Sequence, residues 1–377
     1  MKVTVSTVGR FHAFDLARQL LKHDHLRCLY TGYPLRKIEP DLRPHSRSFP
    51  WLVVPQMGLA RYGWTSLADR ISELSCNTFD RWVAAQTLDT DVLVIQSQSG
   101  LHSLRRAQAR GIKTVCLRGS THIAYQKQVL HEEYARHGIT KPQVPDWALE
   151  KELQEYETAD LIEVTSTFTR DSFVEYGVAL DKLFTAPLGV DLSLFHPVPK
   201  TDTTFRVLFV GMMNLRKGVQ YLLEAVANLN LPNFEVVLIG SLLDEMKPIF
   251  AKYAGHFRYV GVLPRAELHR YYSQASVFVL PSIEEGFGNV QAQAMACGVP
   301  VIATTNTSAS DFFTDGVEGY IIPIRSPQAI HEKILHLYHN PELRDKMAQA
   351  ALRRVQSVGG WDEYGERSIQ AYSRLLK

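Results

Sequence analysis

The sequence has few cysteines, and they are scattered along the chain. The four are Cys28, Cys76, Cys116 and Cys297, and their separations fit no zinc or iron–sulfur spacing. Cys28 and Cys116 lie in apolar, β-branched stretches, where we expect buried thiols. The sequence therefore predicts no metal site, and its cysteine usage is typical of a reducing compartment.

Long apolar runs are absent as well. No run reaches the roughly 18 to 20 residues of a spanning helix, and the first residues, MKVTVSTVGRFHAF, lack the apolar core of a signal peptide. We therefore expect a cytoplasmic protein. The formal net charge is only +2, yet residues 1–130 carry about twice as many basic as acidic side chains. This excess predicts either peripheral contact with a membrane or an anionic acceptor, or simply a solvated surface.

Several well-known catalytic motifs are missing. The sequence has no P-loop and no G-x-S-x-G elbow, and VGRFHAFD after the first apolar stretch is not the G-x-G-x-x-G fingerprint of a dehydrogenase. The LDTD at residues 88–91 resembles an Asp-x-Asp metal motif. Because it precedes a buried strand, we interpret it as a turn.

Short apolar stretches alternate with amphipathic helical patterns along all 377 residues. A chain of this length predicts two domains, because single cores stop growing at roughly 250 to 300 residues. The predicted strands are 2–8, 26–31, 91–97, 114–118, 161–165 and 183–187, then 205–210, 234–239, 257–260, 277–280, 300–304 and 320–323. Their continuous apolar character predicts parallel sheets covered on both faces, and hence two doubly wound α/β domains joined near residues 196–205.

The most informative stretch is PSIEEGFGNVQAQAMACGVPVIAT, residues 281–304. A strand ends at its start, a glycine-containing loop follows, and a helix begins near Asn289. The free amides at such a helix start, together with its dipole, favour an anion such as a phosphate. Glu285 and Gln293 flank this helix start and can face the same space.

This stretch resembles the signature of the retaining glycosyltransferases of the GT-B fold, the large family 4-like group that includes sucrose-phosphate synthase and bacterial mannosyltransferases. Their pattern is a Glu, seven residues and a second Glu, followed by Ala-Met-Ala-x-Gly-x-Pro-Val-Ile. Residues 285–288 and 294–302 match it, but Gln293 replaces the second Glu. The resemblance implies a GT-B fold, in which two Rossmann-like domains face a central cleft. Residues 1–195 would be the acceptor-side domain, joined by a crossing C-terminal helix at 362–377, and residues 200–361 would bind the donor.

The resemblance also implies roles for individual residues. Glu285 would contact the donor sugar, Gln293 the ribose, and Lys217 in FVGMMNLRKG the diphosphate. The family's Arg after the first glycine of that loop is Met212 here, so Arg216 would supply the missing cation. The implied donor-binding residues are Gly9, Gly211, Arg216, Lys217, Val262, Leu263, Glu285, Gly286, Phe287, Gly288, Asn289, Val290 and Gln293.

In the first half, His122 in RGSTHIAYQ is the predicted active-site histidine that contacts the sugar; the alternative is a loop histidine with no ligand. The predicted catalytic residues are therefore His122, Glu285 and Lys217. His12 and Arg118 are candidates on the acceptor side. For His12 the alternative is helix capping or packing.

The predicted function is transfer of a hexose from UDP- or GDP-hexose to a hydroxyl acceptor, with retention of configuration and without a metal or cofactor. The acceptor would be a sugar, a glycan or a lipid-linked glycan, and nucleic acid is not expected. Basic side chains in the segment 31–64, among them Arg36, Lys37, Arg43 and Arg47, would attract an anionic acceptor. The alternatives are an epimerase or a hydrolase of nucleotide sugars, or a non-catalytic nucleotide-sugar-binding protein.

Overall fold

The computed structural model describes residues 1–61, 65–86 and 88–377, which form two parallel β-sheets with helices on both faces. The strands of the first sheet are β1 (Val3–Thr7), β2 (Leu26–Thr31), β3 (Ser46–Ser48), β4 (Val92–Gln96), β5 (Lys113–Arg118), β6 (Leu161–Val164) and β7 (Leu183–Thr185). They lie in the order β3-β2-β1-β4-β5-β6-β7. This order reverses direction between β1 and β4, and ligands of doubly wound sheets bind at such a switch point.

The second sheet lies wholly beyond residue 204. Its strands are β8 (Phe205–Val210), β9 (Phe234–Ile239), β10 (Arg258–Gly261), β11 (Val277–Leu280), β12 (Val301–Thr304) and β13 (Gly319–Ile322). They lie in the order β10-β9-β8-β11-β12-β13, with a switch point between β8 and β11. The central strands β11 and β12 are entirely buried, which explains their continuous apolar sequence.

Helices cover both sheets. Those of the first half are α1 (Ala13–Lys22), α2 (Val53–Arg61), α3 (Thr65–Ala84), α4 (Leu101–Gln108), α5 (Ile123–Arg136), α6 (Asp146–Thr158) and α7 (Thr167–Glu175). The others are α8 (Val219–Val226), α9 (Lys247–Lys252), α10 (Leu268–Gln274), α11 (Asn289–Ala296), α12 (Ala309–Phe312), α13 (Pro327–His339), α14 (Pro341–Val358) and α15 (Trp361–Leu375). Among the helices described here, none is both long and apolar enough to cross a membrane.

The last helix, α15, returns to the first domain and packs against α1. Its inner face places two tyrosine hydroxyls on Glu163, a buried residue of β6. Tyr364 and Tyr372 donate hydrogen bonds of 2.8 and 2.5 Å to the two oxygens of this carboxylate. Burial raises the pKa of Glu163 to about 7, while these hydroxyls and that of Ser368 oppose the shift. The helix is therefore attached through a buried polar cluster as well as through apolar packing.

The two domains also contact each other directly through α5. The buried carboxylate of Glu133 accepts hydrogen bonds from Arg325, Gln220 and Tyr221 of the second domain, at 2.7 to 2.8 Å. This buried polar contact joins the first domain to the second.

Candidate functional site

A cleft of about 600 Å³ lies between the two domains, at the carboxyl ends of strands from both sheets. This volume lies within the range of small-molecule sites. The first domain lines it with Val8, Phe11, His12, Asp15, Gln96, Ser97, Gln98, Arg118, Gly119, Ser120, Gln126, Glu152 and Leu188; the rest of the chain contributes Arg216, Arg265, Asn289, Gln293 and Trp361. Predicted residues of both halves line this cavity, namely His12, Arg118, Arg216, Asn289 and Gln293, whereas the predicted catalytic residues His122, Lys217 and Glu285 are not among its lining residues.

The start of α11 faces this cleft. Gly288 precedes the helix with φ +71, a left-handed conformation that glycine adopts without strain. Asn289 and Gln293, one turn apart, line the cavity. The Asn289 Oδ1 atom is buried and has no hydrogen-bond partner among the described residues. An unpartnered polar atom beside free helix amides marks this point as one that a polar ligand can satisfy.

The loop glycine Gly286 lies against the first domain. A Cβ atom on this residue would lie 2.0 Å from the carbonyl oxygen of Gly119 in the first domain. The Gly286 carbonyl also accepts hydrogen bonds from Ser166 (2.6 Å) and Thr169 (3.1 Å) at the start of α7. Gly286 therefore permits close contact between the domains, and the donor-binding role predicted for it remains a prediction. The neighbouring Phe287 is buried against Phe312, with ring centroids 4.8 Å apart.

A second acidic residue, Glu284, links the two domains and was missed in the sequence analysis. Its fully buried carboxylate accepts hydrogen bonds from the Ser120 hydroxyl (2.7 Å), the Thr121 hydroxyl (2.8 Å) and the Gln126 amide (3.0 Å). Arg216 pairs with it at 2.7 Å. Burial alone would raise the pKa of Glu284, but Arg216 and these hydrogen bonds hold it at about 2. The only sign of this role in the sequence is that Glu284 is an acidic residue directly before Glu285.

Lys217 lies in a turn of 3₁₀ helix, Leu215–Lys217, that follows β8. Its ammonium group forms an ion pair with Glu285. Burial, with a smaller contribution from Arg216, lowers the pKa of Lys217 to about 7, while the Glu284 carboxylate favours the charged form. The structure thus brings together the two predicted catalytic residues of the second domain. It also places the Arg216 guanidinium in the cleft wall, between Glu284 and Ser120.

Gln293, where the resemblance expects a Glu, is nearly buried in the floor of the cleft. Its Oε1 atom accepts a hydrogen bond of 3.1 Å from the Tyr272 hydroxyl. Tyr272 is fully buried on α10, so this bond fixes the orientation of the amide. The Gln293 side chain is therefore held at the cavity by a group that could equally donate to a carboxylate.

The acceptor-side candidates His12 and Arg118 both line the cleft. Burial lowers the pKa of His12 to about 4, so its imidazole is neutral at pH 7. Arg118 ends β5 and pairs with the buried Glu152 at 2.9 Å, while also donating to Gln126 at 2.8 Å. Burial opposes the charge of Arg118, but Glu152 raises its pKa above the ordinary value. The guanidinium is therefore a permanently charged part of the wall.

The structure corrects the assignment of His122. This residue caps α5, and its Nδ1 atom accepts a hydrogen bond of 3.3 Å from the Ala124 amide. Its ring is buried among Tyr156, Phe173 and Tyr176, with centroids 4.8 to 5.2 Å away. The ring therefore fills an aromatic cluster behind the helix start instead of lining the cleft. Burial lowers the pKa of His122 to about 4, with a smaller effect from Arg118.

Other predicted residues are not among those that line the cleft. Gly9 and Gly211 belong to the turns after β1 and β8, and Val290 packs partly against the core. Val262 is largely exposed after β10, whereas Leu263 packs against the core. The binding roles predicted for them remain predictions.

The basic segment lies away from the cleft. Arg36, Lys37, Arg43 and Arg47 are exposed, and none of them lines the cavity as described. Residues 62–64, at the end of the predicted acceptor segment, lie outside the described residues. No cluster of three or more His, Cys, Asp or Glu side chains with metal-binding geometry occurs in the part of the chain that the structure describes.

Comparison with known structures identifies the architecture. Sucrose-phosphate synthase from Thermosynechococcus elongatus superposes with a TM-score of 0.74 at 21% identity, covering 100% of this chain and 99% of the other. HepE from Anabaena, solved in complex with UDP, gives 0.75 at 13% identity, covering 99% of this chain and 100% of the other. At such identities the likeness concerns the fold, and this fold is GT-B.

Sequence comparison agrees with this architecture. D-inositol 3-phosphate glycosyltransferase from Paenarthrobacter aurescens is 29% identical over 220 residues, which are 53% of this chain and 54% of that protein. The match thus spans about half of each protein. The family model described as "Glycosyl transferases group 1" matches residues 193–354, the region that holds Lys217, Glu285 and α11. The chain therefore has the GT-B fold, and residues 193–354 within it match the group 1 glycosyltransferase model.

Proposed function

We propose that this protein transfers a glycosyl group from a nucleoside diphosphate sugar to a hydroxyl acceptor. One observation carries the proposal: Asn289 at the start of α11 and the cation Arg216 line the same cavity as His12 and Arg118 of the other domain. A transferase needs its donor and acceptor in a single cavity. A cleft that is bounded by both domains offers room for the two substrates together.

The donor roles follow from charge. A diphosphate carries negative charge that increases on the leaving group as the glycosidic bond breaks. The amides of α11, the Arg216 guanidinium and the Lys217 ammonium group supply the positive potential that stabilises this charge. Glu285, which pairs with Lys217, would release it when the diphosphate binds and would then meet the sugar. Gln293 would bind the ribose hydroxyls.

The acceptor would lie against the first domain. His12 remains neutral there and can hydrogen-bond a hydroxyl, while Asp15 and Glu152 offer carboxylates in the same wall. We propose a hexosyl donor, UDP or GDP as its nucleotide, and retention of configuration, with the leaving diphosphate helping to accept the proton of the acceptor hydroxyl. The Anabaena protein of the same fold was solved with UDP, which makes UDP the first nucleotide to test.

The test combines binding and product analysis. UDP, GDP and their hexose conjugates are screened by thermal shift, since a ligand that binds the native state raises the melting temperature. The donor that binds is then incubated with and without a panel of glycoside acceptors. A new glycoside that forms only when acceptor is present supports the proposal. Release of free sugar at the same rate in both, an epimerised donor, or binding without turnover would contradict it.

A further inference from the structure

A second cavity, of about 300 Å³, adjoins the cleft in the first domain. It lies between Ser72 of α3 and the segment that leads from α5 into α6, where Pro142, Gln143 and Trp147 line it. One residue, Gln98, lines both this cavity and the cleft. The two cavities therefore have Gln98 as a common wall, and Trp147 lies in the cavity beyond it.

Gln98 is fixed in an unusual conformation at this junction. Its φ is +77, in the left-handed region that disfavours residues with a Cβ atom. Its amide N–H donates to the buried Glu155 carboxylate at 2.5 Å, and Gly100 N–H donates to the other oxygen at 2.8 Å. The Gln98 side chain reaches Glu152 in the cleft wall at 3.4 Å. Strain maintained by the surrounding structure is characteristic of ligand-binding sites.

The lining of the second cavity suits a sugar ring. Trp147 is half-buried and presents an aromatic surface beside Pro142 and Pro145. The amide of Gln143 is held by a 3.0 Å hydrogen bond to the Lys141 carbonyl. Amide and hydroxyl groups at the edge of an aromatic surface match a pyranose, which has an apolar C–H face and a rim of hydroxyls. An acyl chain would offer no hydrogen-bonding groups to this polar edge.

We propose that this cavity binds a second sugar ring of the acceptor, so that the acceptor is an oligosaccharide or a glycan end of at least two units. The inference rests on the proposed function, because it places the reacting end of the acceptor in the cleft. Trp147 then determines specificity for acceptor length without contact with the donor. Its loss should weaken binding of longer acceptors and leave nucleotide binding intact.

The test uses the full chain saturated with UDP, or with GDP if that nucleotide binds better. Glucose, N-acetylglucosamine, maltose, cellobiose and chitobiose are titrated by calorimetry. At least one disaccharide should bind about tenfold or more tightly than its monosaccharide. Trp147→Ala should abolish this gain and Trp147→Phe should keep most of it. Trp51→Ala, which removes an exposed tryptophan of the same domain, is the matched control and should change neither affinity.

A second variant guards against misfolding at Trp147. Ser72→Trp fills the cavity from its opposite wall and should also abolish the disaccharide gain, with UDP affinity unchanged. The inference is overturned if no disaccharide binds better than its monosaccharide, or if the gain survives in both Trp147→Ala and Ser72→Trp. Failure of both UDP and GDP to bind the wild-type protein would instead contradict the proposed function.

Discussion

The hydroxyl of Thr121 in the first domain donates a 2.8 Å hydrogen bond to the Glu284 carboxylate in the second. The same carboxylate pairs with Arg216, so one buried anion both joins the domains and holds a cation in the cleft wall. The position of this cation therefore depends on domain closure. In the proposed reaction, Glu284 positions Arg216 without touching the donor.

Substitution Glu284→Gln tests this dependence. The amide keeps the shape but removes the charge, so Arg216, whose side chain is 27% exposed in the cleft wall, is left without its counter-charge. Breaking a fully buried pair costs roughly 3 to 5 kcal/mol of unfolding free energy, which is the upper bound for this pair. We expect a loss of up to that size in denaturant unfolding, together with weaker UDP binding.

The matched control for that change is Glu132→Gln. Glu132 also pairs across the domains, with Arg325 at 3.3 Å, but its side chain is 46% exposed. Exposed pairs contribute roughly 0 to 1 kcal/mol. Equal effects of the two substitutions would show that Glu284 is no more than one surface contact among several.

The buried carboxyl of Glu163 predicts a pH dependence of stability. Its pKa is about 7 in the folded protein against 4.5 as the ordinary value. Between these pH values the folded state binds the extra proton, so the contribution of Glu163 to stability falls as pH rises from 4.5 through 7. A difference of about 2.5 pKa units corresponds to about 3 kcal/mol.

The measurement compares wild type with Glu163→Gln at pH 5 and pH 8 by denaturant unfolding. Between pH 5 and pH 8, the unfolding free energy of the wild type should fall by up to about 3 kcal/mol more than that of the variant. Taking the difference removes the contributions of other titrating groups, such as Glu155, that both proteins share. A difference between the two proteins that stays constant with pH would rule out titration of Glu163 in this range.

Gln293→Glu tests the proposed ribose contact. The Tyr272 hydroxyl can donate to a carboxylate as it does to the amide, so the substitution should be tolerated. Hydrogen bonds to charged groups contribute about 1.5 to 3 kcal/mol, against about 1 for neutral ones. UDP should therefore bind more tightly to the variant, while 2′,3′-dideoxyuridine diphosphate should not. An identical change for both nucleotides, measured by calorimetry, would place Gln293 away from the ribose.

The sequence predicted the fold well because buried parallel strands have a strong signature. All twelve predicted strands occur, and the helix predicted to begin near Asn289 begins at that residue. The strand that was missed, Ser46–Ser48, is polar and lies at the sheet edge, paired with β2 alone. Edge position removes the need for an apolar run, so periodicity carried no signal there.

The site was less predictable because side-chain direction depends on contacts between distant segments. The adjacent residues Glu284 and Glu285 have different partners. Glu284 accepts a hydrogen bond from Ser120 across the domain interface, whereas Glu285 pairs with Lys217. His122 follows a strand end, as a cleft residue would, yet its ring is directed into an aromatic cluster by its role as helix cap. Spacing along the chain contains neither piece of information.

The most direct test of the proposed donor site is calorimetric titration of UDP into wild type and Lys217→Ala. Loss of the ammonium group removes one charge-assisted contact and leaves the Glu285 carboxylate unpaired near the diphosphate. We predict that the free energy of UDP binding becomes less favourable by roughly 1.5 to 3 kcal/mol. The fall in kcat/KM should correspond to a loss of roughly 2 to 4 kcal/mol in transition-state stabilisation. Lys247→Ala, which removes an exposed lysine of the same domain, should change neither value. UDP affinity that is the same in wild type and Lys217→Ala would contradict the assignment of this cleft as the donor site.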